Sequence, residues 1–291
     1  EKDDRFGKIG SDRLDRLLVS AHHVTMGCGY STVPEVPEGV LIVATNTSLL
    51  EMKEVGGQVK VATHGAWLES IVAPYRVFKD AGLKVTIASL GGGAIPIDTW
   101  SLAGGQLTED GKEFYENKET RGLLMQSIKL ASLRANIDEY DAIFLAGGHG
   151  ALGDFANSRD LGEILKNAYY GGVVIGGVSQ GLVALCNSKD KYGSAPLVRD
   201  ITITGSSSNE EKEMGYSPEI SIETRMKKLG AKYVSTPTTF HEPFVASDDM
   251  GAGFIVSGQN AASSRKTAEK VMELVRKNNH AITEREKEEQ K

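Results

Sequence analysis

Ser179 ends a glycine-flanked apolar run, GGVVIGGVSQGLVAL (171–185), that continues into a helix-like pattern. A serine at such a strand-to-helix turn is placed as a nucleophile, and GVSQG (177–181) satisfies the G-x-S-x-G elbow pattern. A hydroxyl needs a neighbouring base before it can attack. The next residue is Gln180, whose amide donates and accepts hydrogen bonds but takes no proton. Three further stretches carry residues suited to the same chemistry: GGHG (147–150), GSSSNEE (205–211) and ATHGAWLE (62–69). Gly147 and Gly148 allow close backbone approach and could aim two N–H groups at a developing oxyanion. The start of a helix after Ser179 would favour an anion there. Glu69, if buried near Ser179, would be protonated and act as a donor.

Other reactive side chains have plainer readings. His64 and His149 stand at strand ends and could pair on a metal, but no ligand spacing is recognisable and a hydrogen-bonded structural role is favoured. Trp67 and Trp100 could wall a pocket, although tryptophans more often serve as core or lid residues. Cys186 lies two helical turns beyond Ser179, about 10 Å away, and reads as a packing cysteine. Downstream of Ser179 the histidines are His241, in a loop, and His280, near the end of the chain.

The elements that must position these residues alternate regularly. Apolar strands are expected at 40–45, 84–89, 141–146 and 173–178, with shorter ones at 201–204, in KYVST and in GFIVSG. Helices are expected at 68–82, over most of 109–135, at 158–172, at 217–230 (Ser217 as cap, Pro218 next) and from Ser263 to Asn278. Strands alternating with helices imply a mostly parallel sheet covered on both faces. Ligands in such sheets bind beyond the carboxyl ends of the strands, where GGHG, SQG and GSSSNEE fall. Residues 1–38 read as an N-terminal extension and linker, 39–278 as the domain, and 279–291 as a frayed charged tail.

Composition excludes several classes. The 291 residues carry a formal net charge of −6, with no basic stripe interleaved with aromatics, so nucleic acid is not an expected partner. The longest apolar runs are too short to span a bilayer. Cys28 and Cys186 are too few for a disulfide framework and suit two reduced thiols in a cytoplasmic protein. The sequence begins at Glu1, which leaves a removed export segment open.

The whole stretch from about 40 to 278 resembles the DJ-1/PfpI superfamily, also called ThiJ or class I glutamine amidotransferase-like. The branch is the one holding heat-shock chaperones and glutathione-independent glyoxalases (glyoxalase III). The resemblance rests on LESIVAPYRVFKDAGLKVTIAS, YDAIFLAGGHGALGDF, GGVVIGGVSQGLVAL, ITGSSSNEEKEMGY and VSGQNAASSRKTAEKV. It implies a flavodoxin-like three-layer α/β/α sandwich, a homodimer and a thiol elbow, and no cofactor. The family's cysteine falls on Ser179 and its adjacent histidine on Gln180. Its partner acid falls on Glu211, with Glu210 as alternative, and the glutamate that touches the thiol falls on Glu69. The oxyanion glycines fall on Gly147 and Gly148, and Gly181, His149 and Trp67 complete the expected binding residues.

Losing sulfur and imidazole together removes the means of forming a thiohemiacetal and shuttling its proton, so conversion of methylglyoxal to lactate is not expected. The sequence therefore implies a pseudoenzyme that binds a small carbonyl or anionic ligand or a protein partner, or acts as a chaperone-like assembly in stress. The competing reading is an active glyoxalase III or hydrolase using Ser179, with Glu69, His149 or His241 moving protons. A true α/β-hydrolase fits less well, because the downstream acid and histidine are poorly supplied.

Overall fold

The computed structural model describes residues 39–237, 240, 242–249 and 251–289, with the backbone alone over 280–289. The N-terminal extension, Cys28 and His241 lie outside the described residues, as do the side chain of His280 and the last two residues.

The described chain runs β1 (Gly39–Ala44), β2 (Leu49–Lys53), β3 (Val59–Thr63), α1 (Glu69–Asp80) and β4 (Lys84–Ser89). After these come α2 (Glu109–Glu116), α3 (Lys118–Met125), β5 (Ile128–Lys129), β6 (Ala142–Leu145), α4 (Arg159–Tyr170) and β7 (Val174–Val178). The last third holds β8 (Thr202–Ile203), α5 (Ser208–Glu213), α6 (Ile222–Lys228), β9 (Lys232–Tyr233), β10 (Val245–Asp248), β11 (Ile255–Gly258) and α7 (Ser264–Glu289). Seven strands form one sheet in the order β10-β11-β7-β6-β1-β4-β5, parallel except for β10 against β11.

Period-two alternation divides the core between the two faces of this sheet. Leu41, Val43, Ile143, Leu145 and Ile175 point to one side, where they pack with Leu161, Ile164, Leu165 and Ala168 of α4. Val40, Ile42, Phe144 and Val174 point to the other, against Ile71, Val72 and Phe78 of α1 and Val271 and Val275 of α7. Burial on both faces is why these strands are apolar throughout rather than alternating.

Four expectations need correction. The helix expected over 109–135 is two short helices, the second starting where Asn117 accepts hydrogen bonds from the amides of Glu119 and Thr120, followed by β5 and a 3₁₀ segment over 130–139. The helix expected over 217–230 is broken, because Ser221 takes an extended ψ of 150° and caps a second start. The chain after Ser179 is 3₁₀ rather than α through Asn187. Helix α7 continues to Glu289, so residues 279–289 of the segment read as a frayed tail are helical in backbone. The hairpin β2–β3, much of whose surface is exposed, and the short strand β10 (VASD), in which Ser247 and Asp248 break up any apolar run, were not anticipated.

The chain rises on one side of β1 through β4 and β5, then crosses to β6, β7 and β11 on the other. The crevice beyond β1 and β6 is therefore the topological switch point, and the loops after β6 and β7 open into it. Phe144, fully buried at the centre of one face, anchors this arrangement. Phe144→Ala is expected to lower unfolding stability by about 3–5 kcal/mol, read as a shift of the urea midpoint at unchanged slope.

Candidate functional site at the β6 and β7 strand ends

Ser179 is held at φ 53°, a left-handed conformation that a non-glycine residue adopts only under constraint. The constraint comes from both sides of the turn. Gly147 packs so closely that a Cβ there would come within 3.0 Å of the Ser179 Cβ, and Gly148 sits at φ 121°, where a Cβ would meet the Gly65 carbonyl at 2.4 Å. Among the described residues, the Gly147 and Gly148 amides have no hydrogen-bond acceptor, and both residues line the cavity that holds Ser179. They are positioned as anion or carbonyl donors. Gly181 does not line that cavity; it backs the elbow, where a Cβ would strike the Ala146 carbonyl at 2.4 Å.

The Ser179 Oγ donates to the Gln180 Oε1 at 2.6 Å. Gln180 is itself fixed from behind: its Nε2 donates to the Glu211 Oε1 at 2.8 Å and to the Ser206 Oγ at 3.1 Å. Ser206 Oγ donates to the same carboxylate oxygen at 2.6 Å, and His149 Nε2 meets the other at 2.9 Å. Glu211 therefore accepts from an amide, a hydroxyl and an imidazole, an environment that suits a carboxylate and sets the N–H of His149 on Nε2. His149 and Glu211 are both buried.

Burial alone would disfavour charge on either member of this pair. For His149 the charge and hydrogen bond of Glu211, with Asp98 adding to them, outweigh burial and raise its pKa above the ordinary 6.5. For Glu211 burial is again the largest single influence, but His149, Ser206 and Gln180 together hold it below the ordinary 4.5.

Of the two other acids expected here, Glu69 lies outside the cavity, and Glu210 lines it but is committed to other partners. Glu69 accepts from the Thr108 Oγ1 at 2.7 Å and does not line the Ser179 cavity; burial raises its pKa. The residue that the first turn of α1 directs into the cavity is Ser70, one position on, whose Oγ donates to the Trp67 carbonyl at 2.6 Å and lies 3.0 Å from the Gly147 carbonyl. Glu210 is the N3 residue of the α5 capping box and also accepts from the Asn260 Nδ2 at 2.9 Å. Cys186 is half-buried against the Met226 sulfur, and burial pushes its thiol up to about 11. It is placed as a packing residue with a thiol held protonated.

The cavity measures about 200 Å³ and is bounded on its outer side by Trp67, Trp100, Met214 and Phe240. Behind Trp67 and Trp100 lies a second cavity of about 360 Å³, lined among others by Lys60, His64, Asp98 and Tyr216. His64 Nδ1 lies 3.2 Å from the Asp98 Oδ2, which assigns the proton to Nδ1. Nε2 then accepts from the Tyr216 hydroxyl at 3.2 Å. The rings of His64, His149 and Tyr216 pack against one another at 5.1 to 5.8 Å between centroids. Sequence reasoning missed Ser70, Ser206, Asn260, Asp98 and Tyr216. The serine-rich GSSSNEE loop offered the one available signal, for Ser206.

Among the described residues, no group of three His, Cys, Asp or Glu side chains is placed to hold a metal ion, and no helix is long and apolar enough to cross a membrane. The model of the DJ-1/PfpI family matches residues 59–260. Glyoxalase 3 of Candida albicans is 29% identical over 215 residues, which span 72% of this chain and 88% of that protein. Glutathione-independent glyoxalase HSP31 of Saccharomyces cerevisiae is 28% identical over 71% of this chain and 87% of its own length. Among solved structures, Rapid Encystment Protein 24 kDa of Francisella tularensis superposes with a TM-score of 0.70 at 31% identity, covering 82% of this chain and 99% of that one. Glyoxalase III of Candida albicans also reaches 0.70, at 27% identity over 82% of this chain and 98% of its own.

The buried pair sets a pH dependence whose signs differ. The raised His149 contributes stability that is complete below its ordinary value and lost as pH rises through its folded value. The lowered Glu211 contributes stability that is complete above its ordinary value and lost as pH falls through its folded value. Unfolding stability is therefore expected to be highest between pH 4.5 and 6.5. In urea melts across pH, Glu211→Gln should flatten both limbs and cost about 3–5 kcal/mol at the maximum. Gly148→Ala should cost at least about 1–3 kcal/mol from the left-handed backbone alone, read by thermal unfolding.

Proposed function

The chain belongs to the DJ-1/PfpI family, and from that premise we propose that its elbow cavity binds small carbonyl or carboxylate compounds without thiol-dependent glyoxalase chemistry. One contact carries this reading: the Ser179 hydroxyl donates its hydrogen bond to an amide oxygen, at 2.6 Å. An amide oxygen accepts a hydrogen bond but is far too weak a base to remove a serine proton near neutral pH. The relatives named above are glyoxalases, and this chain lacks the means the family resemblance assigns to that reaction. It has no thiol at residue 179 and no imidazole at 180, and the carboxyl that the resemblance assigns to Glu69 lies outside the cavity, where the helix presents the Ser70 hydroxyl instead. What supports binding is the retained part of the site. Two buried glycine amides without acceptors flank a hydroxyl in a partly open cavity, an arrangement suited to an oxyanion or a polarised carbonyl.

A second reading, Ser179 as a working nucleophile, is favoured by its strained φ of 53° and by the His149–Glu211 pair in the same network. It requires Gln180 to leave the Ser179 hydroxyl and His149 to take its place, against the hydrogen bonds that hold the Gln180 amide to Glu211 and Ser206.

The proposal is tested by incubating the protein with methylglyoxal and following lactate. The unsubstituted chain is expected to form lactate at the buffer rate. Ser179→Cys with Gln180→His, alone and with Ser70→Glu added, should raise the rate by orders of magnitude. Turnover by the unsubstituted chain that disappears in Ser179→Ala would overturn the reading.

A further inference from the structure

We propose that the two cavities form one site for a polyhydroxylated carbonyl compound, a reducing sugar, with its carbonyl at the elbow and its hydroxylated tail in the second cavity. This rests on the carbonyl-binding reading and adds the class of ligand. The two cavities share Trp67, Trp100 and Met214 as lining, so they abut, and a ligand longer than three carbons placed at Ser179 reaches that shared boundary.

The chemistry of that larger space is specific. A sugar has a weakly polar C–H face and an edge of hydroxyls that both donate and accept. Trp67 and Trp100 supply broad aromatic surface for the face. Around them stand Asp98 and Glu54 as acceptors, Lys60 as a donor, and the Tyr216 hydroxyl, whose own proton is committed to His64 so that its oxygen is free to accept. Asp98 is held from both sides, by the Trp100 amide at 3.0 Å and by His64 at 3.2 Å, so the acceptor and one aromatic wall are positioned together. A small apolar aldehyde has no use for these groups, whereas a polyol pairs with them. Trp100 is 63% exposed, a large apolar side chain left open at the mouth.

Trp67 and Trp100 are the two tryptophans of the chain, so intrinsic fluorescence reads the shared wall alone. The experiment titrates the full chain with erythrulose, a four-carbon ketose too short to close into a stable ring and so an open-chain carbonyl, with erythritol, which has the hydroxyls but no carbonyl, and with hydroxyacetone, which has the carbonyl but no tail. Erythrulose is expected to bind at least about tenfold more tightly than either. By calorimetry, Tyr216→Phe and Lys60→Ala, changes at residues that line the second cavity and not the elbow, should erase that advantage and leave hydroxyacetone binding as it was. The inference is overturned if hydroxyacetone binds and erythrulose binds no better, if erythritol matches erythrulose, or if both variants keep the full advantage. Absence of hydroxyacetone binding would instead sink the carbonyl-binding reading, and the sugar site with it.

Discussion

The Gln180 amide decides what this site can do. Its oxygen accepts the Ser179 hydrogen bond and its nitrogen donates to Glu211 and Ser206, so the side chain has one orientation that satisfies both ends. Reversing the amide would set its nitrogen against the Ser179 hydroxyl and its oxygen against a carboxylate, losing the hydrogen bonds to Glu211 and leaving like charges facing each other in a buried space. Serine is thereby kept a donor, and the His149–Glu211 pair is kept behind the amide rather than beside the nucleophile. Buried polar networks of this kind hold firmly only when every member is satisfied, and here Gln180, Ser206 and Glu211 all have partners.

The network depends in turn on the sheet. Glu211 and Ser206 come from the loop and helix that follow β8, His149 from the turn after β6, and Ser179 and Gln180 from the turn after β7. The parallel register of β6 with β7 brings two of these turns together. The close approach of the turns allows no side chain at Gly147 or Gly148, and that absence leaves their amides accessible from the cavity. The same backbone geometry serves thiol chemistry or ligand binding equally well, because it fixes where an oxyanion sits and not how it arises.

Much of this was legible in the residues. Strands β1, β4, β6, β7 and β11 announce themselves because they are buried on both faces, and the positions that follow β6 and β7 are where the chemistry lies. What could not be read has definite physical causes. Glu69 and Ser70 are neighbours on the first turn of α1, and which of them enters the cavity depends on how the helix meets the sheet, a matter of packing rather than of local pattern. The Asp98–His64–Tyr216 contacts join residues 34 and 152 positions apart through loops with no periodicity. The β2–β3 hairpin carries Leu49, Val59 and Val61 largely in the open, so its apolar residues mark no core face.

The central claim is that the Ser179 hydroxyl has no base able to ionise it. Mass spectrometry of the intact protein after exposure to a fluorophosphonate, which reacts covalently with activated serines, tests that claim most directly. The account predicts no adduct at Ser179 at neutral pH, and labelling only once a base is placed beside it, as in Gln180→His. Stoichiometric labelling of Ser179 in the unsubstituted chain, abolished by His149→Asn, would contradict it.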